Sequence, residues 1–131
     1  MTEPQHYSIG TPGQPWTESE LQQWRKCQIR FRSYQDDVLD VLETIRSVYD
    51  VIQYGELSYG GEIYPLMAVK SKFWDDTLPV VMITGGVHGY ETSGIIGALE
   101  YLSGGEADYE GKANLLVVPC VSPCAYERIS R

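Results

Sequence analysis

Hydrophobic positions along the chain follow helical spacing first, then strand spacing, then alternate between the two. Leu21, Trp24, Cys27, Phe31 and Tyr34 recur at helical intervals, and Thr17 with Glu20 three residues later has capping-box spacing, so a helix is predicted to start there. A second helical stripe follows in Val38, Val41, Leu42, Ile45, Val48 and Tyr49. Ser33 and Asp36 offer a restart between the stripes, which leaves open whether one bent helix or two are present. From Val51 the stretch "VIQYGELSYGGEIYPLMAVKS" is rich in β-branched and aromatic residues and reads as a β-hairpin turned at Gly60-Gly61, with Pro65 marking an edge position.

After the polar connection "SKFWDDTLP", the run "PVVMIT" is apolar on both faces, the pattern of a strand covered on both sides. A helix is predicted from roughly Glu91 to Ser103. Ile95, Ala98, Leu99 and Leu102 lie on one side of it, and Gly94 and Gly97 allow its backbone to approach the sheet closely. "ANLLVV" is another doubly apolar strand, so strand, helix and strand form a right-handed parallel βαβ unit. Residues 1–16 hold three prolines and two glycines and read as a surface arm, which leaves 17–131 for a single α/β unit.

Composition narrows the functional classes. The 131 residues are 43% hydrophobic and 21% charged, enough for one domain with a modest core. A net charge of -8 disfavours adhesion to nucleic acid or an anionic membrane, so Trp16, Trp24 and Trp74 are expected in the core or at its rim, not as stacking platforms. No apolar run approaches the roughly 18 to 20 residues of a membrane helix, and the start of the chain has no signal-like core; a soluble cytoplasmic protein is expected. Cys27, Cys120 and Cys124 are odd in number and lack C-x-x-C, so they read as reduced thiols without the second half of a structural zinc site.

Candidate chemistry sits in "VVMITGGVHGYETSG". Ligands in open α/β sheets bind beyond the carboxyl ends of strands, which is where His88 and Glu91 fall. The glycines do not spell G-x-G-x-x-G, and no Lys-Ser or Lys-Thr pair follows, which argues against a phosphate loop. His-x-x-Glu supplies an imidazole and a carboxylate, two of the three protein ligands of a His₂Glu catalytic zinc site. Ser93 and Ser122 do not lie in Gly-x-Ser-x-Gly and have no evident base.

"VVMITGGVHGYETSGIIGALEYL" resembles the first zinc-binding segment of the zinc metallocarboxypeptidases and the related succinylglutamate desuccinylase and aspartoacylase group. "LLVVPCVSPCAYERISR" is similar to their next strand and its following turn. The resemblance spans roughly Val51 to Arg131 and implies a three-layer α/β/α fold with a mixed, mostly parallel sheet of the phosphorylase/hydrolase-like kind. It also implies His88 and Glu91 as ligands of one Zn²⁺ ion, and hydrolysis of a peptide or amide bond by zinc-activated water. Ser122-Pro123 stands where many members have Asn-Pro, and Tyr90 where many carboxypeptidases have arginine.

The family's other functional residues, a second histidine ligand, a carboxylate-binding Asn-Arg pair and a general-base glutamate, lie further along its chains than "YERISR". The expectation is therefore an amino-terminal part of a larger hydrolase domain, inactive by itself, with its general base beyond Arg131. Arg128 and Arg131 are the candidates for binding the substrate, a peptide or, in the deacylase branch, an N-acyl amino acid. The reading from another class is a non-catalytic α/β binding module with a vestigial metal site. Oligomeric state is left open.

Overall fold

A computed structural model describes residues 8–104 and 109–130. Residues 8–16 contain neither helix nor strand, and α1 (Glu18–Cys27) then starts from Thr17, whose side chain and Glu20 form the capping box the sequence implies. The helical stripe does not do what its spacing suggests. No residue of α1 is buried, Trp24 and Phe31 remain 38% and 60% exposed, and the helix ends at Cys27. Trp16 is likewise exposed. Capping, together with Glu18 bonded to Gln22 and Arg25, holds the helix from its own surface.

Two helical segments are present, not one. Ser33 Oγ accepts from the Asp36 amide at the restart, a π-helical turn (Gln35–Leu39) follows, and α2 (Asp40–Thr44) continues it. Val38, Leu42 and Ile45 are buried, whereas Val48 is exposed and Tyr49 already belongs to the next strand.

The hairpin is β1 (Tyr49–Tyr59) and β2 (Glu62–Ser71), paired antiparallel across Gly60-Gly61. Both turn glycines have positive φ, 61° and 83°, the condition for a two-residue turn whose twist matches the strands. Pro65 lies in the stretch of β2 that pairs with β1 alone, because β4 meets β2 only at Val69 and Lys70. β3 (Val80–Thr84), α3 (Thr92–Ser103) and β4 (Asn114–Val118) complete the sheet, with β3 and β4 parallel and in the order β1-β2-β4-β3. α4 (Pro123–Arg128) follows.

The α/β class and the mixed sheet agree with expectation; the count of parallel pairings does not. Two of the three pairings are antiparallel among the described residues, because the hairpin supplies half the strands and joins β4 antiparallel. The layering also differs. Val51, Met67, Val69, Leu115 and Val117 form one cluster with Val38, Leu42 and Ile45 and with Ile95, Ala98, Leu99 and Leu102, so α2 and α3 cover the same face.

The opposite face carries Ile52, Tyr54, Ala68, Met82, Leu116 and Val118, which line an apolar pocket. In the described sheet β3 is the edge strand, with Met82 60% exposed, not a strand buried on both sides. β4, between β2 and β3, matches its doubly apolar sequence. A buried Asn114 ties the connection before β3 to β4: its side chain accepts from the Asp75 amide and donates to the Asp75 carbonyl. None of the described helices is long and apolar enough to cross a membrane.

Candidate metal centre

The parallel strands β3 and β4 end side by side, and their backbones keep pairing as they leave the sheet. Gly85 donates to Val118 O, Val121 to Gly85 O and Ser122 to Gly86 O, at 2.9, 2.9 and 3.0 Å. This ladder fixes where the His88 loop begins. Two glycines here are dictated by space, one of them by its dihedral as well. Gly86 has φ +65°, and a Cβ there would also strike Ile95. Gly89 lies so close to α4 that a Cβ would come within 2.0 Å of the Ala125 carbonyl carbon. Gly94 does touch the Gly85–Gly86 backbone as its spacing suggests, while Gly97 faces open space and brings nothing closer.

Between these fixed points the chain makes a short excursion that presents three side chains. His88 Nδ1 stands 3.4 Å from Glu91 Oε1, with both side chains about half exposed. The Tyr90 ring stacks on the His88 imidazole at 5.9 Å between centroids. Glu91 is the N-cap residue of α3, but its carboxylate does not cap the helix; it is turned back to His88. The separation is long for a hydrogen bond, whose good geometry ends near about 3.2 Å. It suits two legs of a tetrahedral zinc site, since donors each about 2.0–2.2 Å from one ion lie roughly 3.3–3.6 Å apart. Nitrogen and carboxylate oxygen are also donors zinc accepts. The two residues therefore fit part of a zinc site, and no group of three or more His, Cys, Asp or Glu able to hold a metal occurs among the described residues.

The other residues singled out in the sequence lie elsewhere. Arg128 is committed to the hairpin, donating to Tyr64 Oη at 2.8 Å and Glu62 Oε2 at 3.0 Å while lying over the Tyr59 ring. Arg131 and His6 fall outside the described residues. Cys120 is buried, and burial pushes its thiol up to about 12, so it stays protonated at neutral pH.

One residue near the loop escapes a reading of the sequence. Arg32, from the segment before the π turn, donates to the carbonyl oxygen of Gly89 at 2.9 Å. No local pattern marks it, because the contact joins residues 57 apart.

With this geometry in place, comparison with known proteins is informative at the level of fold. No protein-family profile and no curated protein matches the chain. Solved structures do. A "putative metallopeptidase" of Shewanella baltica is 25% identical with a TM-score of 0.59, covering 79% of this chain and 41% of its own. The fold is metallopeptidase-like. A protein of the same description from Shewanella amazonensis is 23% identical at the same TM-score and coverage. One from Shewanella denitrificans is 21% identical with a TM-score of 0.58, covering 75% of this chain and 35% of its own. The chain thus spans about two fifths of the length of the first two metallopeptidase-like structures.

Proposed function

We propose that this chain forms part of a zinc-dependent hydrolase of metallocarboxypeptidase type and supplies two of its metal ligands, His88 through Nδ1 and Glu91 through its carboxylate. The observation that carries the reading is the 3.4 Å approach of these two donors at the carboxyl end of a parallel strand. The metallopeptidase-like fold supports it. Zinc, when bound, supplies a Lewis acid that polarises the scissile carbonyl of a peptide or an N-acyl amino acid.

The residues of this chain have defined tasks in that centre. His88 and Glu91 hold the ion from one side, and the half-exposed setting of both leaves the other side accessible to further ligands and substrate. Stacking on Tyr90 restrains the imidazole ring. The glycine exit from β3 fixes where the loop that carries the two donors begins. A third protein ligand and a general base would come from polypeptide outside the described residues.

Two donors bind zinc weakly. In the 131-residue chain, a Zn²⁺ titration followed by NMR on the His88 ring and on the Tyr90 and Glu91 amides should show one saturable site, and the amide response should be absent in His88→Ala. A polypeptide extended to the length of the metallopeptidase-like structures should bind one ion tightly and hydrolyse a peptide or N-acyl amino acid. A His88 signal indifferent to millimolar Zn²⁺ would overturn the reading, as would an extended protein that binds none.

A further inference from the structure

The loop that presents His88 and Glu91 is tied down by a side chain 57 positions earlier in the sequence. Arg32 Nη1 donates to Gly89 O, the carbonyl between the two proposed ligands. The guanidinium itself rests on an aromatic ring that is anchored in turn. It lies 5.0 Å over the Tyr126 ring, and the Tyr126 hydroxyl donates to Asp37 Oδ2 at 2.9 Å. The backbone beneath it is pinned as well, with the Phe31 and Arg32 amides both donating to Glu127 O at the end of α4.

We propose that Arg32 is a positioning residue for the metal ligands: by fixing the Gly89 carbonyl it prevents rotation of the peptide planes between His88 and Glu91 and so preserves the spacing of their donor atoms. This rests on the reading of His88 and Glu91 as zinc ligands. Arginine suits the task because its planar, always charged fork keeps one N–H on the carbonyl while its face rests on an aromatic ring. Lysine can provide the charge but only part of that geometry. The tether also makes the segment before α2 a component of the site, although it carries no ligand.

The test compares wild type, Arg32→Ala and Arg32→Lys in three measurements: Zn²⁺ titration on the His88 ring signals, amide hydrogen exchange at 87–91, and thermal unfolding. Positioning predicts that Arg32→Ala weakens Zn²⁺ binding by roughly tenfold, the lower range for groups that orient metal ligands. It also predicts faster exchange at 87–91 without faster exchange in β4, and partial recovery of both in Arg32→Lys. If Arg32→Ala does not fold, Arg32→Lys must show the same two effects in smaller degree.

Unchanged Zn²⁺ affinity in a folded Arg32→Ala protein overturns the proposal, even with faster loop exchange, because the bond would then be structural only. Weakened binding without faster exchange at 87–91 overturns it too. A wild-type chain that does not respond to Zn²⁺ refutes the zinc reading instead. The tether then stands or falls on exchange alone, failing if Arg32→Ala leaves 87–91 unchanged.

Discussion

Two polar clusters lie on either side of α4, and they are built on opposite terms. On one side Glu127, 4% exposed, accepts from the Tyr34 amide at 2.9 Å, Tyr64 Oη at 2.8 Å and Arg30 Nε at 2.8 Å. Glu62, Arg30 and Arg128 close the network around Tyr64. Hydrogen bonds from Tyr64, then Arg128 and Arg30, hold the Glu62 carboxyl below the usual range. On the other side His88 and Glu91 face each other half exposed, at a distance too long for a good hydrogen bond. The first cluster spends its donors and acceptors on joining hairpin, helix and amino-terminal segment. The second holds its capacity in reserve, and reserve is what distinguishes a candidate ligand pair from a structural one.

The largest expected effect comes from removing the acceptor at the centre of the spent cluster. Glu127→Ala leaves the Tyr34 amide without its acceptor, removes one of the two carboxylates that the Tyr64 hydroxyl meets and takes a partner from two arginines. Arg30 is half exposed and both arginines keep Glu62, so the loss comes mainly from buried hydrogen-bonding groups left short of a partner, at about 1–3 kcal/mol each. Urea unfolding should show a loss of that order, with Glu127→Gln milder because it still offers an acceptor. A loss for Glu127→Ala below about 1 kcal/mol would mean that the network is not what joins the hairpin to α4.

Next in size is Gly89→Ala, which acts on the seam between the two clusters. The new methyl group would overlap the Ala125–Tyr126 peptide, so the His88 loop or α4 must move. Overpacking of this kind costs about 1–3 kcal/mol. The displacement should also appear as changed NMR shifts at both His88 and Tyr126, and a variant with wild-type shifts at both would contradict the close approach.

Alkaline pH tests the buried side of the same seam. Burial pushes the Cys120 thiol from 9.0 to about 12. Burial first, then the bond to Asp37, pushes the Tyr126 phenol from 10.0 to about 12. Below about pH 9 both groups are neutral in folded and unfolded chains and do not alter stability. Above it the unfolded chain releases protons that the folded chain retains, so stability should fall with rising pH until about 12. Cys120→Ala should move the onset upward; an unchanged onset would show that the thiol does not contribute.

The parts of this molecule that could be read from its sequence are those whose causes are local. The capping box at Thr17, the Gly60-Gly61 turn, α3 and the interior strand β4 each follow from residues a few positions apart. The His88–Glu91 pair belongs with them, since the two residues are three apart and the glycines that aim them are adjacent. What could not be read depends on distant partners. Arg32 meets Gly89, and Glu127 meets Tyr34 across a separation of 93 positions; neither contact leaves a periodic trace. The α1 stripe and β3 failed differently. Their apolar residues state a capacity for burial, but the described residues leave both α1 and β3 without a buried position, with Ile83 of β3 packed only in part against the core.

The smallest effect on stability and the largest on chemistry should come from the reserved cluster. His88→Ala and Glu91→Gln remove groups that are half exposed and make no close hydrogen bond to each other. Substitutions at such positions usually change stability by no more than about 0.5 kcal/mol. Each should nevertheless abolish the saturable Zn²⁺ response of the loop, His88→Ala by removing a nitrogen donor and Glu91→Gln by replacing a carboxylate with a neutral amide. For His88→Ala the response is read on the backbone amides of Tyr90 and Glu91. The contrast with Glu127→Ala is what matters: a structural polar cluster loses stability when cut, whereas a ligand pair loses only its metal. If His88→Ala instead destabilised the chain by several kcal/mol, the pair would have to be counted among the residues that hold the fold, and its geometry would no longer speak for zinc.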